Sequence, residues 1–158
     1  MHRAAPDGAV RTTTVTVIRR ILLVAFVTGL IGTLVELLLL EHFDDWRQRI
    51  PLVLLGCALA TMIWHALDRG PAPLRVLQLL MLIFAFAGLI GLTLHLQGNR
   101  EFELEMYPSR AGLELVKKTL MGATPALAPG TMIQLALIGL AYSYRHPHLT
   151  RMESGGRT

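Results

Sequence analysis

The chain has 158 residues, of which 53% are hydrophobic and only 16% are charged. A soluble domain usually carries about 25% charged residues, so this composition argues against an ordinary water-soluble globular protein. The formal net charge is +4, but the basic residues flank apolar segments and do not build one basic face, which argues against binding to nucleic acid. The single cysteine, Cys57, excludes a disulfide within the chain.

Four apolar segments predict an all-α integral membrane protein, built as a bundle of four transmembrane helices. The predicted spans cover about residues 21–40, 50–67, 74–96 and 125–144, since an α-helix needs about 20 apolar residues to cross the hydrocarbon core of a bilayer. The transmembrane domain therefore runs from 21 to 144. Residues 1–20 are expected to form a flexible polar arm, and residues 145–158 a polar tail.

The polar stretch 97–124 predicts an outer loop between the third and fourth helices. Gly98 and Asn99 are expected to end the third helix, and the alternating charged and apolar residues 100–106 predict a short strand or an interfacial segment. Farther along, apolar side chains fall on one helical face, opposite a charged face, which predicts an amphipathic helix on the membrane surface. The apolar residues of this face are Leu113, Val116, Leu120 and Met121.

The distribution of basic residues predicts the orientation of the bundle. Nine of the 15 lysines and arginines lie in the N-terminal arm, between the second and third spans or at the very start of the third, or in the tail. Cytoplasmic loops carry the excess of basic residues in membrane proteins. We therefore expect a multi-pass protein of a bacterial-type cytoplasmic (inner) membrane, with both termini in the cytoplasm.

Small residues recur at helical spacing on the first and third spans, and each of these faces ends in a titratable group, Glu36 or His95. Small residues let helices approach closely in lipid, where packing and interhelical hydrogen bonds drive association. We therefore expect both faces to point into the bundle, with Glu36 near His95. The expected helix-packing residues are Gly29, Gly32, Glu36, Gly88, Gly91 and Gln134.

The histidines near the helix ends suggest two hypotheses for a bound cofactor. In this topology they form two layers, with His42 and His95 on the outer side and His65 and His146 on the inner side. A b-type haem in a helical bundle needs two imidazoles from facing helices at similar depth. A transition-metal site that uses Glu36 and His95 is a second hypothesis, and the absence of any cofactor is the simplest expectation.

The chain carries no phosphate-binding loop, no G-x-S-x-G, no H-E-x-x-H and no C-x-x-C motif, so enzyme activity is not predicted. The expected function is that of an accessory or structural subunit, which packs against other membrane proteins, or against itself, within the lipid bilayer. One alternative is a haem-binding or metal-binding subunit for electron transfer. Another is a small oligomeric transporter or channel.

Overall fold

The computed structural model describes residues 7–122, 124 and 127–150, and side chains within 13–122, 124 and 127–149. All of the regular structure in these residues is helical. The helices are α1 (Asp7–Leu39), α2 (Trp46–Leu67), α3 (Pro71–Met106), α4 (Gly112–Leu120), α5 (Gly130–Ser143) and α6 (Pro147–Thr150).

Three of the helices, α1, α2 and α3, are long and apolar enough to cross a membrane. Helix α5 is apolar but has only 14 residues, which corresponds to about 21 Å, whereas the hydrocarbon core is about 30 Å thick. The all-α class and three potential spans are therefore observed. The fourth transmembrane helix stays a prediction.

Two helix boundaries differ by ten residues or more from the sequence expectations, and the first is the start of α1. This helix begins at Asp7, so most of the expected flexible arm is helical, while residues 1–6 lie outside the described residues. No proline interrupts residues 7–39, and the charged and β-branched residues before the apolar segment are all compatible with a continuous helix.

The second difference is at the end of α3. Gly98 and Asn99 do not stop this helix, which continues to Met106, and residues 100–106 are neither a strand nor a separate segment. One glycine costs a helix only about 1 kcal/mol. Asn99 is 3% exposed, and its amide nitrogen donates to the carbonyl oxygens of Thr119 (3.0 Å) and Thr124 (2.8 Å). These bonds hold the segment of α4 against the extended α3.

The core lies between α1, α2, α3 and α5. Its fully buried side chains include Phe26 and Leu30 of α1, Leu55 of α2, and Phe84 of α3. Helix α5 packs against both α1 and α3, α2 packs against the same two helices, and α4 lies on α3. The contact of α5 with α3 is close, because a Cβ at Gly88 would lie 2.7 Å from Cγ1 of Ile133.

Antiparallel packing brings the basic residues of several helices to one end of the bundle. We call this the arginine end, and it carries Arg19, Arg20, Arg69, Arg75 and Arg145. The guanidinium of Arg19 donates to the carbonyl oxygens of Arg145 (2.7 Å) and Tyr144 (3.3 Å). The start of the apolar part of α1 is thus tied to the turn that follows α5.

Candidate functional site

Three histidines meet at the arginine end. His65 lies in the last turn of α2, and His146 and His148 flank Pro147 just after α5. The ring centroid of His65 lies 5.4 Å from those of His146 and His148, which are 4.7 Å from each other. We refer to His65, His146 and His148 as the histidine cluster.

The turn after α5 explains how residues so far apart in sequence meet. Helix α5 ends at Ser143, and Tyr144 adopts an extended conformation. Arg145 then has a φ of 46°, a left-handed conformation that reverses the chain. His146 and the start of α6 are thereby brought to the end of α2, and Arg19 fixes the turn from the other side.

The hydrogen bonds of the cluster assign different roles to the ring nitrogens. His65 is 8% exposed, and its Nε2 lies 3.1 Å from the hydroxyl oxygen of Tyr142. The Nδ1 of His65 is buried and has no hydrogen-bond partner in the part of the chain that the structure describes. The Nδ1 of His146 accepts a 3.3 Å hydrogen bond from the backbone N–H of His148.

Burial also affects the protonation of the cluster. His146 lies outside the potential membrane spans, and its pKa is lowered to about 4, first by burial and then by the charges of His148, His65 and Arg19. An ordinary histidine has a pKa of 6.5. The imidazole of His146 is therefore neutral at pH 7, and neutral imidazole is the form that binds metal ions.

The cluster has the composition of a metal site. One ring nitrogen from each of the three histidines lies within 4.8 Å of the other two. Among the described residues, this is the one group of three potential ligands that the fold brings together. Beside it lies an open cavity of about 290 Å³, lined by Thr16, Arg19, Arg20, Leu23, Tyr142, His146, Pro147 and His148.

The geometry does not suit the haem that the sequence suggested for His65 and His146. A haem iron needs its two axial imidazoles on opposite faces of the porphyrin. The rings of His65 and His146 instead touch edge to face, with 80° between their planes. No slot for a macrocycle separates them, because Tyr142 and His148 also contact this ring pair.

The outer pair of histidines is also brought together. His42, in the loop between α1 and α2, has a lowered pKa because of burial and the nearby charge of His95. Both side chains are half-buried. Cofactor binding by His42 and His95 stays a prediction. Glu36, the other predicted metal ligand, is not part of the histidine cluster.

The position of Glu36 differs from the expectation that it faces the interior. Glu36 and Gln134 are both exposed, so an interior cluster of these residues with His95 does not form. The buried stripe of α1 follows the bulky Phe26 and Leu30. At 100° per residue, this stripe lies about 110° around the helix from the small-residue face.

The glycines of the two predicted packing faces do not all pack against a neighbouring helix. A Cβ at Gly29 would lie 2.7 Å from Cδ2 of Leu135, and one at Gly91 would lie 3.0 Å from Cβ of Pro129. Gly88 lies at the close contact between α3 and α5. Gly32 is open, with nothing within 4 Å of its Cβ position.

The sequence analysis did not identify His148 and Tyr142 as site residues. The available signal was the H-P-H triplet directly after the last apolar segment, at the same end of the bundle as His65. A comparison of the chain with protein-family models, with curated proteins and with solved structures finds no match.

Proposed function

We propose that the protein is a subunit of a larger membrane assembly, in which a helix of a partner covers one side of α1 and α5. This side, which we call the α1/α5 flank, consists of Ala25, Gly32 and Glu36 of α1 and Gln134 of α5. All four residues are exposed in the single chain. Small residues beside polar ones are the combination that favours helix association in lipid.

The exposed amide of Gln134 is the observation that carries the proposal. Its neighbour Leu135 contacts Gly29, near the middle of the apolar part of α1, so Gln134 lies at about the same depth. Hydrocarbon offers no hydrogen-bond partner to an amide, and polar residues inside a membrane almost always face protein or a water-filled cavity. A partner helix would supply the missing hydrogen bonds.

Glu36 supports the same proposal. A carboxylate at the centre of a membrane helix costs roughly 2.5–3.5 kcal/mol on insertion scales, although less near the helix ends. Glu36 lies one turn before the end of α1 and is exposed. A partner that donates a hydrogen bond would remove much of this cost, and the open surface at Gly32 leaves room for its backbone.

For the topology we propose that the arginine end faces the cytoplasm and that α5, with the turn before it, forms the fourth span. The excess of basic residues at the arginine end supports this orientation. Helix α4 would then lie at the outer surface with Leu113 (87% exposed) and Val116 (55%) towards lipid. Labelling of Ser109→Cys in a Cys57→Ser background, by a reagent that cannot cross the membrane, tests the orientation.

The assembly is tested by the size of the protein after extraction in a mild detergent. The native chain should migrate as a complex larger than one 17.4 kDa chain with its detergent, and Gln134→Leu should shift it to the monomer position. Leu79→Ala is a matched control, because Leu79 is exposed (60%) on a different helix. A native chain that is monomeric under all mild conditions would argue against the proposal.

A further inference from the structure

We propose that His65, His146 and His148 bind one divalent transition-metal ion of the Zn²⁺ type at the arginine end. This inference does not depend on the proposed function. It rests on three imidazoles, from two distant parts of the chain, that place one nitrogen each within 4.8 Å of the others.

The spacing of the three nitrogens is close to that of a metal site. Zinc–nitrogen distances of about 2.0–2.1 Å in a tetrahedral site place the ligand nitrogens about 3.3 Å apart. The nitrogens of the cluster are therefore at most about 1.5 Å too far apart for such a site. Rotation of the imidazoles can close this gap, since the rings are already in contact.

The surroundings of His65 match those of a metal ligand. The hydroxyl of Tyr142 is placed to accept a hydrogen bond from the Nε2–H of His65, which would leave Nδ1 with its lone pair. That Nδ1 is buried and has no hydrogen-bond partner among the described residues. Metal-bound histidines almost always donate their other ring N–H to a second group, and an unsatisfied buried nitrogen is otherwise costly.

His146 must change one contact to bind the metal through Nε2. Its Nδ1 accepts a hydrogen bond from the backbone N–H of His148, which places the proton on Nε2. Ligation through Nε2 moves this proton to Nδ1 and breaks that bond. The bond length of 3.3 Å is at the long end of the range for hydrogen bonds, so the contact that is lost is a weak one.

The donor set selects the type of metal. Three imidazole ligands suit Zn²⁺, Cu²⁺, Co²⁺ or Ni²⁺, whereas Mg²⁺ and Ca²⁺ require oxygen ligands. The adjacent cavity, with Thr16 and Arg19 in its wall, gives water or an anion access to a fourth position. Three histidines with one open position form the type of zinc site that can exchange its fourth ligand.

The test is a titration with Co²⁺, which reports tetrahedral coordination by intense visible absorption. The full chain is purified in detergent with an affinity tag that contains no histidine, stripped of metal with a chelator, and titrated. We expect one Co²⁺ per chain, tetrahedral absorption bands, and loss of these bands when Zn²⁺ is added. His148→Ala should weaken binding at least tenfold and abolish the bands.

His148 is the preferred position for substitution because it is only half-buried, so the variant is expected to fold, which circular dichroism can verify. Leu67→Ala is the matched control, since it truncates an exposed side chain (84% exposed) in the last turn of α2, outside the histidine cluster, and should bind Co²⁺ like the native chain. The proposal is overturned if the native chain binds no Co²⁺ in a 1:1 ratio. It is equally overturned if His148→Ala binds with unchanged affinity and spectrum.

Discussion

Helices α1 and α3 carry the same kind of small-residue face, but the fold uses them differently. On α3, a Cβ at Gly88 would lie 3.0 Å from the carbonyl oxygen of Pro129 and 3.1 Å from Cβ of Met132. On α1, only Gly29 makes a comparable contact, while Gly32 is open. The pattern therefore identifies a helix that can be approached closely, but not whether the approaching helix belongs to the same chain.

The largest effect is expected from Gly88→Leu, which would destroy the close contact between α3 and α5. The added side chain meets backbone as well as side-chain atoms, and overpacking of this kind costs about 1–3 kcal/mol, occasionally more. Thermal unfolding in detergent should show a clear decrease in the melting temperature. An unchanged melting temperature would mean that α5 does not pack on α3 as described.

A somewhat smaller effect is expected farther along α3, from Asn99→Ala. The substitution removes the hydrogen bonds to Thr119 and Thr124. It leaves the carbonyl oxygen of the buried Thr119 unsatisfied, which costs about 1–3 kcal/mol, whereas the exposed Thr124 can bond to water. Proteolysis should become faster within residues 112–124 while the core helices stay protected. Equal protection of this segment in the variant would contradict the role of Asn99.

Gly32→Leu is expected not to destabilise the single chain, because the position is open, and it should add up to about 1 kcal/mol of helix stability, since glycine is a poor helix former. The same substitution should nevertheless reduce association with a partner, because the leucine fills the α1/α5 flank. Thermal unfolding in detergent measures the stability of the chain, and mobility in a native gel measures its association with a partner. A large loss of stability would show that Gly32 packs within the chain, as Gly88 does.

The smallest expected effect is the pH dependence caused by His42, in the loop after α1. The pKa of His42 is lowered in the folded protein. Just below the ordinary pKa of 6.5, the unfolded chain therefore binds more protons than the folded chain. The free energy of unfolding decreases as the pH is lowered through this range. The melting temperature should therefore decrease as the pH is lowered below 6.5. His42→Gln should make this part of the pH profile flatter.

The sequence predicted the helical class and the three long spans well, because an uninterrupted run of about 20 apolar residues is typical of a membrane-spanning helix. It failed where long-range contacts decide the outcome. Asn99 ends a helix by propensity, but its hydrogen bonds to the α4 segment keep it inside α3. Glu36 lies on a small-residue face, yet the bulky Phe26 and Leu30 determine which side of α1 is buried.

The histidine cluster also depends on long-range contacts that the sequence does not reveal. The sequence placed His65 and His146 at one end of the bundle, and the fold brings their rings together. The H-P-H triplet was a signal for His148, but it did not show that this ring joins the cluster, because the turn at Arg145 determines where the ring lies. A reversal of this kind depends on one residue in a left-handed conformation, which apolar periodicity does not reveal.

Site-specific photo-crosslinking in intact membranes tests the central proposal most directly. A photoreactive amino acid at Gly32 should give a discrete crosslinked band, at twice the mass of the chain for a second copy or at another mass for a different subunit. The same probe at Ile31, which is 48% exposed at the same depth but about 100° around the helix, should give none. Lipid labelling alone at both positions would contradict the proposed assembly.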